Sequence, residues 1–371
     1  MNFLFVSHIW PPATDGGSKI LSKIENYFSK KNNNTLVITT NCSLSDDFVK
    51  SKYFTSPSSK NILRLPIIKT HRHLPKPIFK IIPFFTTLKS ISKFNPSYIF
   101  AGPFPTAISL YSLLFKYILK SKLILLPCFH QTDTDFNQFY IKICLKKADL
   151  ILALTQSEKN FFHNNFKINP HKILVIGGGV DKEFLKTSKS TEYKKYITFI
   201  GNFASHKNVE LLISAFEKLS PIYPDLKLFL LGQKTLYFPK INQTIKKLTP
   251  KIRSKIKFIF NPTQFQIKQT LDNSICLVNP SNQESFGLVF VEALARSIPI
   301  IGTDIPPVKE LIAKTQGGLI FKQNNLDSLI EQILYLINNP KKAQMFVKNG
   351  FDYIKNNLTW DKIGERIEKF L

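Results

Sequence analysis

Short uninterrupted apolar runs alternate with longer amphipathic stretches along the whole chain. Residues 3–7 are apolar and rich in β-formers, helical spacing follows over 18–31, and a second strand is predicted at 35–40. Further strands are predicted at 98–101, 122–126, 150–154 and 172–176. Continuous runs without in-and-out alternation fit parallel strands covered on both faces. The helical segments between them supply crossovers, so the pattern predicts a doubly wound α/β sheet. A polar stretch without periodicity, residues 186–195 (KTSKSTEYKK), reads as a linker. The rhythm then restarts. Strands are predicted at 196–200, 227–231, 256–260, 275–279 and 299–302. An amphipathic helix over 208–219 places Leu211, Leu212, Ala215, Phe216 and Leu219 on one face. A closing helix over 359–371 is expected to bury Trp360, Ile363, Ile367 and Phe370.

The length of 371 residues accommodates two such domains in tandem. Their boundaries are expected at 1–186 and 187–355, with the helix 356–371 added. A mainly disordered chain is excluded by 43% hydrophobic and only 20% charged residues. Cys42, Cys128, Cys144 and Cys276 lie far apart and form no Cys-x-x-Cys pair, which argues against a zinc knuckle, an iron–sulfur site or a disulfide scaffold. Reduced thiols and a cytoplasmic location are the expectation. No apolar run reaches the roughly 18–20 residues that span a bilayer. The opening residues lack a basic leader and read as a buried strand.

Open parallel sheets bind ligands beyond the carboxyl ends of their strands, so the chemistry is sought in the loops that follow strands. The most informative loop is Asn279-Pro280-Ser281-Asn282-Gln283-Glu284-Ser285-Phe286-Gly287-Leu288. It leaves a predicted strand and opens a predicted helix, whose first N–H groups and positive dipole end favour an anion. Glu284 precedes that helix and Glu292 lies about one turn inside it, so a phosphate there would have a carboxylate on each side. Carboxylates hold sugar hydroxyls through charge-assisted hydrogen bonds. The plainer reading makes Glu292 a first-turn dipole partner and Glu284 a solvated loop residue.

A second loop, Gly201-Asn202-Phe203-Ala204-Ser205-His206-Lys207-Asn208, also runs from strand to helix, with Asn208 as N-cap. Lys207 would present a mobile cation to a diphosphate that gains charge as its bond breaks; otherwise it is a solvated lysine. Gly16-Gly17 before the first helix permits close approach of backbone to phosphate, or simply makes a tight turn. Gly177-Gly178-Gly179 reads as turn chemistry. There is no Gly-x-Gly-x-x-Gly and no Walker A sequence, which disfavours nicotinamide and P-loop nucleotides. His130, just past a strand, is placed to hydrogen-bond a sugar or move a proton, with His8 a further strand-end histidine. No metal-ligand motif is present, so no metal site is expected.

Taken in order, these features resemble the family-4 glycosyltransferases, retaining enzymes of the GT-B fold. The shared residues are Pro11, Pro12, Gly16 and Gly17; His130; the run 148–158 (ADLILALTQSE); Gly179-Val180-Asp181 with Phe184; Gly201 with His206-Lys207-Asn208; Glu284 and Glu292 as a Glu-x7-Glu pair around Phe-Gly-Leu; and Leu358-Thr359-Trp360-Asp361. The resemblance implies two Rossmann-like domains facing across a cleft, with the closing helix crossing back to the first. It implies a donor of the nucleotide-diphosphate sugar type, UDP or GDP, and no cofactor or metal. His130, Lys207 and Glu284 would act at the transferred sugar and its diphosphate. Gly16, Gly17, Gly201, Asn202, Ser285, Phe286, Gly287, Leu288 and Glu292 would bind the donor. Asn202 departs from the pattern, because the family usually carries Arg there.

Net charge is +26, and its placement sharpens the expectation. Residues 48–132 contain no Asp or Glu but 13 Lys and Arg. Within them, residues 70–85 interleave basic and aromatic side chains, a composition suited to an anionic membrane surface. The resemblance implies a nucleotide sugar and a glycan or lipid-linked acceptor as partners, and the basic 48–132 region adds the expectation of an anionic membrane surface at the inner face of the cell membrane. A solvated basic face over a buried Phe/Ile strip is the plainer alternative. A nucleic-acid-binding protein is permitted by charge, but no nucleic-acid motif supports it and no nucleic acid is expected. An epimerase-like or non-catalytic GT-B homologue is the remaining alternative, the latter prompted by Asn202.

Overall fold

The computed structural model describes residues 1–11, 16–40, 61–65, 84–103, 107–129, 139–186 and 196–371. The chain divides into two compact units, residues 1–177 with 363–371, and residues 178–362.

The first unit runs β1 (Asn2–Val6), α1 (Gly16–Lys30), β2 (Asn34–Thr40), β3 (Ile62–Leu65), α2 (Phe84–Phe94), β4 (Tyr98–Ala101), α3 (Ala107–Leu119), β5 (Lys122–Leu125), α4 (Phe139–Lys147), β6 (Leu150–Ala153), α5 (Gln156–Phe166) and β7 (Ile173–Val175). The sheet order is β3-β2-β1-β4-β5-β6-β7, and every pairing is parallel. In register, Phe5 pairs with Val37 on one side and Phe100 on the other. Side chains on both faces are buried, as continuous apolar strands require. Phe3, Phe5, Phe28 and Phe100 stack on one face, with Phe5 and Phe100 rings 4.9 Å apart. Leu4, Val6, Ile99 and Ala101 join the core on the other.

The second unit runs β8 (Tyr196–Ile200), α6 (Val209–Leu219), β9 (Lys227–Gly232), α7 (Phe238–Lys246), α8 (Pro250–Arg253), β10 (Ile256–Phe260), α9 (Gln264–Asp272), β11 (Ser274–Asn279), α10 (Leu288–Ala295), β12 (Ile300–Thr303), α11 (Pro306–Thr315), β13 (Gly318–Phe321), α12 (Leu326–Asn338) and α13 (Pro340–Asn357). Its parallel sheet has the order β10-β9-β8-β11-β12-β13. The direction of winding reverses between β8 and β11, and such a switch point opens a crevice at the strand ends. The amphipathic face read for α6 is the buried one: Leu212, Ala215, Phe216 and Leu219 are inaccessible to solvent, and Leu211 is half-buried against the same core.

The division falls at 177/178 rather than in the polar stretch read as a linker, most of which (187–195) lies outside the described residues. Residues 178–186 belong to the second unit for identifiable reasons. The Val180 amide donates to Leu358 O (2.9 Å), and Val180 pairs with Thr359. Arg296, buried at the end of α10, forms a two-pronged ion pair with Asp272, with contacts of 2.8 and 2.5 Å. It also donates to Phe184 O (3.2 Å) and to Lys186 O. The closing helix α14 (Trp360–Glu368) contributes residues from 363 onward to the first unit. There Tyr27 Oη donates to Glu368 Oε2 (2.6 Å), and Arg366 donates to Ile176 O (2.7 Å). Trp360, Ile363 and Ile367 are buried as expected, whereas Phe370 lies past the helix end and is exposed.

Candidate functional site

Two loops at the β8/β11 switch point meet in the second unit. After β8, the Gly201 amide donates to Leu231 O and the Phe203 amide to Gln233 O, each at 2.9 Å. The buried Phe203 ring anchors this loop, while Asn202 is exposed. A single helical turn over 205–207 then brings Lys207 round to β11. Asn208 holds the N-cap position of α6 in the left-handed conformation but does not cap with its side chain. Instead its amide reaches Asn324 Oδ1 at 3.0 Å, a correction to its expected role.

After β11, a chain of hydrogen bonds fixes the second loop. Thr303 Oγ1 donates to Ser281 O (2.6 Å), Ser281 Oγ to Asn279 Oδ1 (2.7 Å), and Asn279 Nδ2 to Glu284 Oε1 (2.9 Å). The Asn282 amide donates to His206 O (2.8 Å), tying the two loops together. At their junction Lys207 Nζ lies 2.6 Å from Glu284 Oε1, with only 16% and 10% of the two side chains exposed. Burial pushes the Glu284 carboxyl up. The Lys207 charge and hydrogen bond, with those from Ser281 and Asn279, outweigh it and hold the group below the usual carboxylate range. Glu284 is thus a buried, ion-paired carboxylate rather than a solvated loop residue.

The helix that follows starts without a side-chain cap. Gly287 precedes it at φ +90°, where an L side chain is strained. A Cβ there would also stand 2.6 Å from the Phe290 ring. The uncapped first turn leaves the positive end of α10 turned to the loop that carries Glu284. Phe286 is buried, and Ser285 and Leu288 are half-buried. Both Phe286 and Leu288 pack on Gly178, where a Cβ would come within 2.7 Å of each. The glycine run 177–179 therefore does more than turn the chain: it lets backbone underlie the start of α10. Glu292 is buried in the second turn of the helix, so the alternative of a first-turn dipole partner does not hold. Asn279 and Ser281 fall within the loop singled out from sequence but carry no role of their own there, and Thr303, at the end of β12, has no sequence signal.

In the first unit, Gly16 and Gly17 open α1. A Cβ on Gly17 would strike Pro103 (2.6 Å) and approach Cys128 Sγ (3.0 Å), so this glycine packs against its own fold; a Cβ on Gly16 would meet nothing within 4 Å. His8 is buried at the end of β1. His130 lies outside the described residues, but the peptide before it is held. Glu158 Oε1 accepts from the Phe129 amide (3.0 Å) and Oε2 from the Leu154 amide (2.6 Å). Thr155 caps α5 by accepting from the Glu158 amide. Among the described residues no group of three or more His, Cys, Asp or Glu could hold a metal ion, and no helix is long and apolar enough to cross a membrane.

Residues 180–353, the bulk of the second unit, match the family of glycosyl transferases group 1. The chain is similar to an uncharacterized glycosyltransferase of Methanocaldococcus jannaschii, 28% identical over 226 residues, covering 61% of this chain and 60% of that one. It is also similar to the N-acetylgalactosamine-N,N'-diacetylbacillosaminyl-diphospho-undecaprenol 4-alpha-N-acetylgalactosaminyltransferase of Campylobacter jejuni, 28% identical over 217 residues, covering 57% and 56%. The chain spans 50% to 60% of the length of the first curated relatives it matches. Among solved structures, HepE of Anabaena in complex with UDP and glucose superposes with a TM-score of 0.78 at 16% identity, covering 100% of this chain and 99% of that one. The two parallel-sheet, Rossmann-like units thus have the fold of GT-B glycosyltransferases, and the match over 180–353 supports a glycosyltransferase.

Proposed function

We propose that this chain is a retaining glycosyltransferase that moves a sugar from a nucleotide-diphosphate sugar to a hydroxyl of a lipid-linked or envelope glycan, without a metal. The observation that carries the reading is the buried Lys207–Glu284 pair beside the uncapped start of α10. It collects a cation, a helix dipole and a carboxylate at one switch point, the groups that a diphosphate and a sugar hydroxyl require. The similarity to group 1 glycosyl transferases and to a transferase named for a diphospho-undecaprenol-linked acceptor supports the same class.

In this reading the donor diphosphate draws the Lys207 ammonium from Glu284, and the released carboxylate accepts hydrogen bonds from sugar hydroxyls. Glu292 holds the ribose hydroxyls. As the bond from the anomeric carbon to the phosphate oxygen breaks, negative charge grows on the diphosphate, and Lys207 with the α10 N–H groups stabilises it. The acceptor oxygen attacks from the face the phosphate leaves. Its proton passes to the departing phosphate oxygen, and the configuration is retained.

The test is a thermal-shift panel of UDP, GDP, ADP and their sugars on the wild type and on Glu292→Ala. Ligands stabilise in proportion to their affinity for the folded state. One nucleotide should give the dominant shift, and the variant should reduce it. No shift with any nucleotide sugar would overturn the reading.

A further inference from the structure

Helices α3 and α4 connect consecutive parallel strands in the order β4, β5, β6, so both cover the same face of the first sheet. They pack side by side: Lys116 of α3 donates to Lys147 O of α4 (2.6 Å) and pairs with Asp149 (2.9 Å). Their inward faces are conventional core, with Leu113, Phe115, Ile141, Cys144 and Leu145 buried. Their outward faces are not conventional. Leu110, Leu114, Tyr117 and Ile118 follow one stripe of α3, and Phe139 and Ile143 lie one turn apart on α4; these six side chains are 42% to 74% exposed. Scattered exposed apolar residues are ordinary on a soluble surface, but six on two adjacent helices form a patch of the kind that marks an interaction site.

The charges around the patch identify what it meets. Lys120, Lys142, Lys146 and Lys147 are exposed at its margin, and neither helix contains an Asp or Glu. The nearby Asp149 is already engaged, by Lys116 and by the Leu123 amide at 2.7 Å. A second copy of this chain would set lysine against lysine across an isologous contact, so self-association is opposed. An anionic bilayer surface satisfies both features at once, since apolar side chains enter the interface while ammonium groups meet phosphate headgroups.

We propose that the outward face of α3 and α4 is a docking surface for an anionic lipid bilayer. This deepens the transferase reading by naming where the chain meets the membrane of a lipid-linked acceptor. It places the contact on described helices rather than on residues 70–85, which were singled out from sequence and of which 70–83 lie outside the described residues. Vesicle binding needs neither donor nor acceptor, so its failure is separate from failure of the nucleotide panel.

The experiment is flotation of the full chain with phosphatidylcholine vesicles, with and without phosphatidylglycerol. Binding is expected only with the anionic lipid and should weaken as salt is raised. Lys142→Glu with Lys146→Glu should reduce it by about fivefold or more for each lysine reversed. Ile118→Gln with Phe139→Gln should lose about tenfold while melting with the wild type, since neither side chain is in the core. Ile118→Trp keeps the apolar character and should blue-shift its emission on anionic vesicles. Absent flotation, undiminished binding by the folded Gln variant, or an unshifted tryptophan would each overturn the proposal. So would a dimer in light scattering that the same Gln variant dissolves.

Discussion

Lys207 Nζ and Glu284 Oε1 stand 2.6 Å apart although 77 positions separate them in sequence, and both side chains are largely withdrawn from solvent. Removing one member leaves the other as a buried charge. Lys207→Ala is expected to cost about 3 kcal/mol of stability and, in the transferase reading, on the order of 10²–10³ in turnover. Combining it with Glu284→Gln should cost less than the two changes separately, with a coupling of about 1–3 kcal/mol in urea denaturation.

The same pair sets a pH signature. Glu284 is held below its ordinary value of 4.5, because the lysine and the hydrogen bonds outweigh burial. A carboxyl depressed in the fold contributes stability that is complete above the unfolded value and fades as pH falls toward the folded one. The stability gap between wild type and Glu284→Gln should therefore be constant near neutrality and shrink as pH drops below 4.5. Thermal melts across an acid series measure it, and a gap that widens on acidification would contradict the assignment.

Gly287 and Gly16 form a matched contrast. At Gly287 a side chain meets both a φ of +90° and the Phe290 ring, whereas at Gly16 a Cβ meets open space in the first turn of α1. Gly287→Ala is expected to lose about 2–4 kcal/mol, strain and clash together, and to displace the start of α10. Gly16→Ala should be neutral or stabilising by about 0.4–1 kcal/mol, through the unfolded chain. Chemical denaturation of both variants checks the contrast.

The parallel sheets were legible because buried strands such as 98–101 and 196–200 are continuous runs of β-formers, which the fold uses unchanged. The two missed strands, β3 and β13, are four residues long and sit at sheet edges. One neighbour and partial burial demand little apolar patterning, and β3 even carries Arg64. Phe370 continues the apolar spacing of the last helix, but that helix ends at Glu368, so periodicity alone overshot. At the site, strand–loop–helix segments announced themselves through Gly and polar runs. What joins them is tertiary: Gly178 beneath Phe286, and Asn279 bonded to a carboxylate that sequence treats as independent.

Arg296 illustrates a determinant with no sequence signal. Its guanidinium grips Asp272 and the carbonyls of Phe184 and Lys186 from a position only 4% exposed. Arg296→Ala removes a buried guanidinium on which a half-buried carboxylate and two carbonyls converge, a loss of about 3–5 kcal/mol. Because those carbonyls lie in 182–186, the variant should also gain protease cleavage there well below its melting temperature. Limited proteolysis followed by mass spectrometry reads the position of the cut.

Asn202 offers a gain-of-function test of the donor reading. It is the second residue past the end of β8, immediately after Gly201, and it is exposed. The glycosyltransferase resemblance sets an arginine at this place, next to a loop that already delivers Lys207. A guanidinium can bind two oxygens of a diphosphate at once, which an amide cannot match in charge. Exposure discounts the gain, so Asn202→Arg is expected to tighten binding of the preferred nucleoside diphosphate about fivefold. Its nucleoside, which lacks the phosphates, should bind as before. Calorimetric titration of both ligands separates a phosphate contact from a general change in the loop. Equal affinity of wild type and variant for the diphosphate would place that anion away from the β8 loop.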